Sequence, residues 1–326
     1  MIKVSLVNNI IKDYWDNYSL YSSSKYQEYE DKYCPIPFHY VFKKDNLVIK
    51  RDIYLSLKED MSGSKKYVSY DDYIDIEDLY GNTDYYLRVD TYDKEGNITK
   101  GNVELIHTLD YPRTIYIDGV SNTRDIGGLP TGDGQGMVQG KVYRSANLDD
   151  ITPEGIKKIK ELGIKTILDL RADNEDNHTP KIEGINYIKI EGVTYFGTDM
   201  CVKNDSNKNI IKKEIEVFAN TSNYPIYVHC VAGRDRTGTL IILLLSLLGV
   251  DRKNIIKEYE LSFFSKLGYT KDVPVSELVD QADDVINYIL SKYTGESLME
   301  RTKKWLISEV NFSKKEIETI KKILVK

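Results

Sequence analysis

The sequence predicts an all-β sandwich over residues 1–110, followed over residues 111–326 by an α/β domain whose central, mostly parallel sheet is flanked by helices. Three observations carry this reading. Short Tyr- and Val-rich runs separated by Asp, Asn, Gly and Ser turns fill the first third of the chain. After Pro112, strand-like and helix-like patterns alternate, as they do in α/β domains. A long apolar stretch, residues 240–250, interrupted only by Ser246 and Gly249, follows a β-type run and a Gly-containing loop.

In the first domain, residues 38–42, 47–49 and 85–89 read as strands. The chain carries 26 Tyr against 7 Phe and 2 Trp, a bias that suits pleated, half-buried surfaces. Leu79 stands six residues before Tyr85, with Gly81 in the turn between them. That spacing looks like a tyrosine corner, where the Tyr hydroxyl bonds back to upstream backbone and locks a crossover. Asp93-Lys94-Glu95-Gly96-Asn97 then reads as a hairpin turn into a last strand ending near His107. The segment resembles a fibronectin type III-like domain over roughly 70 residues. It offers no nucleophile with a partner base, so its expected role is to orient the chain or engage a protein partner.

The second domain opens on a polar, Gly-rich stretch, Asn122-Thr123-Arg124-Asp125-Ile126-Gly127-Gly128. Thr152 reads as an N-cap with Pro153 at the first helical position. Ile156, Ile159 and Leu162 follow at helical spacing, and Gly163 closes the helix. Residues 165–170, 187–190 and 226–228 read as buried strands, the last leading through a loop into a helix over residues 239–248. From about residue 275 onward the pattern is that of amphipathic helices. The pairs Lys303-Lys304, Lys314-Lys315 and Lys321-Lys322 fit solvated faces of those helices.

Bulk composition narrows the class. Hydrophobic content of 41% and charged content of 29% are those of a globular chain. A net charge of -6 argues against a nucleic-acid partner, which calls for a basic field. The longest apolar run falls well short of the roughly 20 residues a membrane span needs, so no transmembrane segment is expected. Three cysteines, Cys34, Cys201 and Cys230, do not make a disulfide framework. A reducing, cytoplasmic setting suits them, with secretion or the cell envelope as the alternative if a signal peptide has been removed.

The stretch that carries chemistry is Val228-His229-Cys230-Val231-Ala232-Gly233-Arg234-Asp235-Arg236-Thr237-Gly238. It sets a Cys at a strand end and an Arg six positions on, at a helix start. The amides between them, from Val231, Ala232, Gly233 and Arg234, can turn inward, where the helix dipole adds positive potential for a phosphate dianion. Arg236 adds a fork that matches the same oxygens. The same donors favour a thiolate on Cys230, the form competent for attack.

The pattern H-C-x5-R-T-G resembles the signature of the cysteine-based protein tyrosine phosphatase superfamily. The 122–128 stretch, Tyr143-Arg144-Ser145-Ala146-Asn147-Leu148 and Leu168-Asp169-Leu170-Arg171 look like upstream elements of its bacterial branch, which includes tyrosine and phosphoinositide phosphatases. The resemblance implies hydrolysis of phosphate monoesters through a phosphocysteine, without metal or other cofactor. It makes Cys230 the nucleophile, Arg236 the phosphate ligand and the Thr237 hydroxyl the partner of the leaving thiolate. Val231, Ala232, Gly233 and Arg234 would line the substrate. Arg234 departs from the Lys usual in that branch.

A phosphorylated protein bearing phosphotyrosine is the first expected substrate, a phosphoinositide or inositol phosphate the second. Arg234 adds a second cation, but Val231 is neutral where phosphoinositide-directed relatives often carry Lys. A catalytically inactive phosphate-binding module has no need of the thiol, and a rhodanese-like sulfurtransferase lacks the Arg-Thr-Gly ending. Two aspartates compete for general acid. Asp235 lies in the signature loop itself and is preferred over Asp199, which stands 31 residues before Cys230. His229, Asp169 and Arg171 are expected to brace the loop, and Arg124 and Asp125 to pair near its entrance. His39, His107 and His178 are read as bystanders. Cys34 is read likewise, and Cys201 too, with a resolving-thiol role as its alternative.

Overall fold

Alternation of apolar and polar side chains in the first hundred residues produces antiparallel strands that close over one small core. The computed structural model describes residues 1–26, 34–175, 179–192, 204–269 and 272–326. These form two compact units, Met1–Asn8 with Pro35–Arg113, and Asn9–Cys34 with Thr114–Lys326.

The first unit contains β1 (Ile2–Val4), β2 (Phe38–Val41), β3 (Lys50–Ser56), β4 (Lys65–Ser69), β5 (Tyr73–Ile76), β6 (Thr83–Tyr92), β7 (Ile98–Thr99) and β8 (Val103–Thr108). Its larger sheet runs in the order β1-β8-β6-β3-β4, with β7 added to β6, while β2 and β5 pair separately. Only β1 against β8 is parallel in this unit. Phe38 and Ile76 of the small sheet share one buried cluster with Ile53, Leu55, Tyr85, Leu87 and Ile106 of the large one. The Tyr85 hydroxyl accepts from the Tyr80 amide at 2.7 Å, the backbone contact that the Leu79-to-Tyr85 spacing anticipates. Residues 47–49 form no strand; β3 begins immediately after them, at Lys50.

A boundary at residue 110 would assign residues 9–34 to this first unit. They group with the second instead, and burial explains it. In α1 (Asn9–Asp16) the side chains of Ile11 and Tyr14 are each 1% exposed, and the Tyr14 hydroxyl donates to the Lys257 carbonyl at 2.8 Å.

The second unit continues with β9 (Arg124–Asp125), β10 (Val142–Ser145), α2 (Pro153–Glu161), β11 (Thr166–Asp169), β12 (Asn186–Lys189), α3 (Asp205–Ala219) and β13 (Ile226–His229). After these come α4 (Asp235–Leu248), α5 (Arg252–Glu260), α6 (Val275–Lys292), α7 (Leu298–Ser308) and α8 (Lys314–Leu324). The sheet order is β12-β11-β13-β10-β9, with the first four strands parallel and β9 antiparallel at the edge. Thr152 caps α2 as its sequence implies, accepting from the Gly155 amide at 3.2 Å.

Helix α4 is buried on every side from Arg236 to Leu248, as expected of a helix that is apolar all round. Each fully buried Leu or Ile there contributes about 1.5–3 kcal/mol relative to an exposed one. The chain therefore fixes the helix firmly, and with it the loop at its N-terminus. Among the described residues no helix is long and apolar enough to cross a membrane.

Glu214 of α3 is fully buried, and neither carboxylate oxygen has a hydrogen-bond partner among the described residues. Burial pushes its carboxyl from 4.5 up to about 8. Below the ordinary value both folded and unfolded chains hold the proton, so this group costs nothing there. Above it the unfolded chain ionises while the native chain does not, and stability falls by about 1.4 kcal/mol per pH unit until about pH 8. Glu214→Gln removes that slope. Urea midpoints at pH 5 and pH 8 should therefore show the variant gaining on wild type as pH rises, and equal gaps at both values would contradict the assignment.

Candidate active site

The end of β13 delivers Cys230, 2% exposed, into a loop that ends where α4 begins. What shapes this loop is where its carbonyls go. The Val231 carbonyl accepts from the Asn147 amide at 2.9 Å. The Ala232 carbonyl accepts from Asn122 Nδ2 at 2.9 Å, and the Gly233 carbonyl from Arg144 Nη2 at 2.6 Å. With three successive carbonyls held outward, the amides of Val231 to Arg234 are left with no acceptor among the described residues. Together with the first turn of α4 they form a nest of donors suited to an anion.

Gly233 is required for this arrangement. It has φ +65°, and a Cβ there would lie 2.0 Å from the Ser145 carbonyl oxygen. Asn122 also has positive φ, at 60°, a conformation Asn tolerates better than most residues. Its Oδ1 accepts from Arg124 Nη1 at 2.6 Å.

Behind the loop sits a buried ionic triad. Arg124 and Arg144, 1% and 0% exposed, converge on Glu258 of α5 at 2.5 and 2.6 Å. Burial alone would raise the Glu258 carboxyl, but the two guanidinium groups outweigh it and hold it below its ordinary value. Ser262 Oγ accepts from Arg124 at 3.1 Å and from Arg144 at 3.4 Å. Asp125 accepts from the amides of Gly127 and Gly140 at 2.8 and 2.5 Å. Glu258 carries no local sequence signal, because its two arginine partners lie 134 and 114 positions away.

Arg236, the first-turn arginine of α4, gives both terminal nitrogens to Glu175, with 3.0 Å for the Nη2 contact. That pairing holds the Glu175 carboxyl below its usual range and fixes the plane of the guanidinium. Glu175 is another residue the sequence gave no reason to single out. Thr237 is fully buried, and its hydroxyl has no hydrogen-bond partner among the described residues. The cost of such a group, about 1–3 kcal/mol, is a reason to look for a partner that arrives with chemistry.

Arg234 turns away from the nest. Its Nε and Nη2 donate to the two Asp235 oxygens at 2.8 and 3.2 Å, and its Nη1 donates to the Gly268 carbonyl at 2.6 Å. His229 is fully buried, with Nδ1 3.2 Å from the Cys230 carbonyl and 3.7 Å from Asp169. Burial pulls its imidazole below the ordinary value, which suits a neutral brace. Arg171 ties Asp169 to Asp149, donating to them at 2.8 and 2.9 Å. His39 and His107 lie in the first unit beside Asp75 and Asp84. Among the described residues no group of His, Cys, Asp or Glu side chains is gathered as metal ligands are. Asp199, Cys201 and His178 lie outside the described residues.

Comparison with known proteins agrees with this geometry. A protein of Cupriavidus necator named as a tyrosine-protein phosphatase is 26% identical over 167 residues, which are 44% of this chain and 61% of that one. The OCA1 protein of Meyerozyma guilliermondii, also named as a tyrosine-protein phosphatase, is 32% identical over 37% of this chain and 67% of its own length. The inositol diphosphatase SIW14 of Saccharomyces cerevisiae is 30% identical over 48% of this chain and 53% of its own. The chain thus spans between about half and two thirds of the length of these relatives. The profile of the Tyrosine phosphatase family matches residues 115–326, most of the chain, and the chain belongs to that family.

Proposed function

We propose that this protein hydrolyses phosphate monoesters by two in-line displacements through a phosphocysteine on Cys230, with protein phosphotyrosine as its first substrate class. The observation that carries the reading is the outward tethering of the Val231, Ala232 and Gly233 carbonyls. It leaves a ring of amides around the cysteine at the N-terminus of a buried helix. Phosphoryl transfer asks mainly for such positioning and charge stabilisation. Cys230 attacks phosphorus, and Arg236 and the amides hold the equatorial oxygens. Thr237, whose hydroxyl has no hydrogen-bond partner among the described residues, stabilises the thiolate when it leaves again. Val231, Ala232 and Gly233 form the floor under the substrate phosphate.

The inositol phosphate reading is supported by the names of two relatives, the inositol diphosphatases of Saccharomyces cerevisiae and Arabidopsis thaliana. Against it, both cations of the loop are already matched by carboxylates, Arg234 by Asp235 and Arg236 by Glu175. A site for several phosphates would want surplus positive charge. The first unit fits a fibronectin type III-like interaction module, placed before a phosphatase domain of the bacterial branch. A reducing, cytoplasmic compartment suits a nucleophilic thiol.

Asp235 is the general acid in this reading. Because its carboxylate is paired with Arg234, the acid role requires that pair to open when substrate enters. Asp235→Asn should lower kcat by about 10²-fold on phenyl phosphate and by much less on p-nitrophenyl phosphate, whose leaving group needs little protonation. An equal loss on both substrates would remove Asp235 from the role and return Asp199 to it.

A further inference from the structure

Four consecutive residues at the C-terminal end of α5 divide their contacts between two parts of the second unit. Glu258 and Tyr259 face the signature loop. Glu258 holds Arg124 and Arg144, the latter bonded to the Gly233 carbonyl. The Tyr259 ring packs so closely on Gly238 that a Cβ there would lie 2.8 Å from it. Lys257 and Glu260 face residues 9–26. Lys257 Nζ donates to the Trp15 carbonyl at 2.7 Å and lies 3.8 Å from the centre of the Trp15 ring. Glu260, fully buried, accepts from the Tyr18 hydroxyl at 2.9 Å, the Tyr21 amide at 3.0 Å, and the Ser23 hydroxyl and amide at 2.6 and 3.2 Å.

We infer that residues 9–26 are a positioning strap for the signature loop. Seated on Lys257 and Glu260, they fix the end of α5. That end, through Glu258, fixes Arg144, which holds the Gly233 carbonyl outward, and Arg124, which holds Asn122 and through it the Ala232 carbonyl. A buried carboxylate needs its donors, so losing the Tyr18 and Ser23 contacts drives Glu260 to seek water and moves the helix end that carries Glu258. Tyr14 adds an aromatic anchor, its ring 4.9 Å from that of Phe264 and nearly edge-on. The strap lies within residues 9–34, which in the chain separate Asn8 from Pro35 of the first unit. The inference rests on the phosphatase reading for its effect on turnover, but not for its effect on the loop.

The test uses the full chain with Tyr18→Phe and Ser23→Ala combined, which leaves α5 untouched, alongside Glu260→Gln. Seating of the strap is read from acrylamide quenching of Trp15, since Trp305 is fully buried. Loop geometry is read from the rate of Cys230 alkylation by iodoacetate, located by peptide mapping, and from kcat on p-nitrophenyl phosphate. The expected result is greater quenching of Trp15, with alkylation and kcat both changed by about tenfold or more, while near-ultraviolet dichroism stays native. Greater quenching with alkylation and kcat within about twofold of wild type overturns the inference, as does unchanged quenching in both variants. If wild type turns over no phosphate ester, the functional reading fails, and the strap stands or falls on the alkylation rate alone.

Discussion

Cys230→Ser abolishes turnover and spares phosphate binding. The contacts that shape the anion nest run through Asn122, Asn147 and Arg144 to the carbonyls of residues 231–233, and none of them uses the thiol. Serine is close to cysteine in size and enters a site only 2% exposed, so the loop should keep its shape. Its hydroxyl is a far weaker nucleophile near neutral pH and a poorer leaving group in the second displacement. Loss of kcat by about 10⁴-fold or more is expected, equivalent to about 5.5 kcal/mol of barrier. Binding of inorganic phosphate, measured by titration calorimetry, should stay within about tenfold. A variant that loses both properties would show that the thiol shapes the nest as well as reacting in it.

Glu258→Ala is expected to have the largest effect on stability. It leaves Arg124 and Arg144, both buried, with no carboxylate between them. Removing one partner of a buried ion pair typically costs about 3–5 kcal/mol, because an uncompensated charge remains. Urea unfolding of the variant should lose an amount of that order. The same group makes a signed prediction for pH. Its folded carboxyl is held below the ordinary value, so its contribution is present above the unfolded value of 4.5 and is lost as pH falls through the folded one. Wild type should therefore lose its advantage over Glu258→Gln on acidification. A stability loss under about 1 kcal/mol in Glu258→Ala, the range of an exposed pair, would contradict the buried-triad account.

The strand, loop and helix around Cys230 were legible because their signals are local. A β-run ends at the cysteine, an arginine stands six residues on, and the helix beyond is apolar on every face. The tyrosine corner was legible for a similar reason, since Leu79 and Tyr85 are separated by one turn. What supports the loop was not legible. Glu258 meets Arg124 across 134 positions of chain and Arg144 across 114, and a charged helix end reads as solvated until its partners are seen. Residues 9–26 escaped for the same reason. Their anchors, Tyr14 and Tyr18, find Lys257 and Glu260 more than two hundred positions away. The pairing of Arg234 with Asp235 was not legible either, since adjacent opposite charges in a loop do not announce that they turn toward each other.

The most direct test of the central claim is to trap the covalent intermediate. Wild type and Cys230→Ser are mixed with a phosphate-labelled aryl ester, quenched in acid within the first turnover, and digested for peptide mapping. Label is expected on the peptide containing Cys230 in wild type, and none is expected in Cys230→Ser. Rapid hydrolysis by wild type with label on another residue, or with none at all, would contradict that claim.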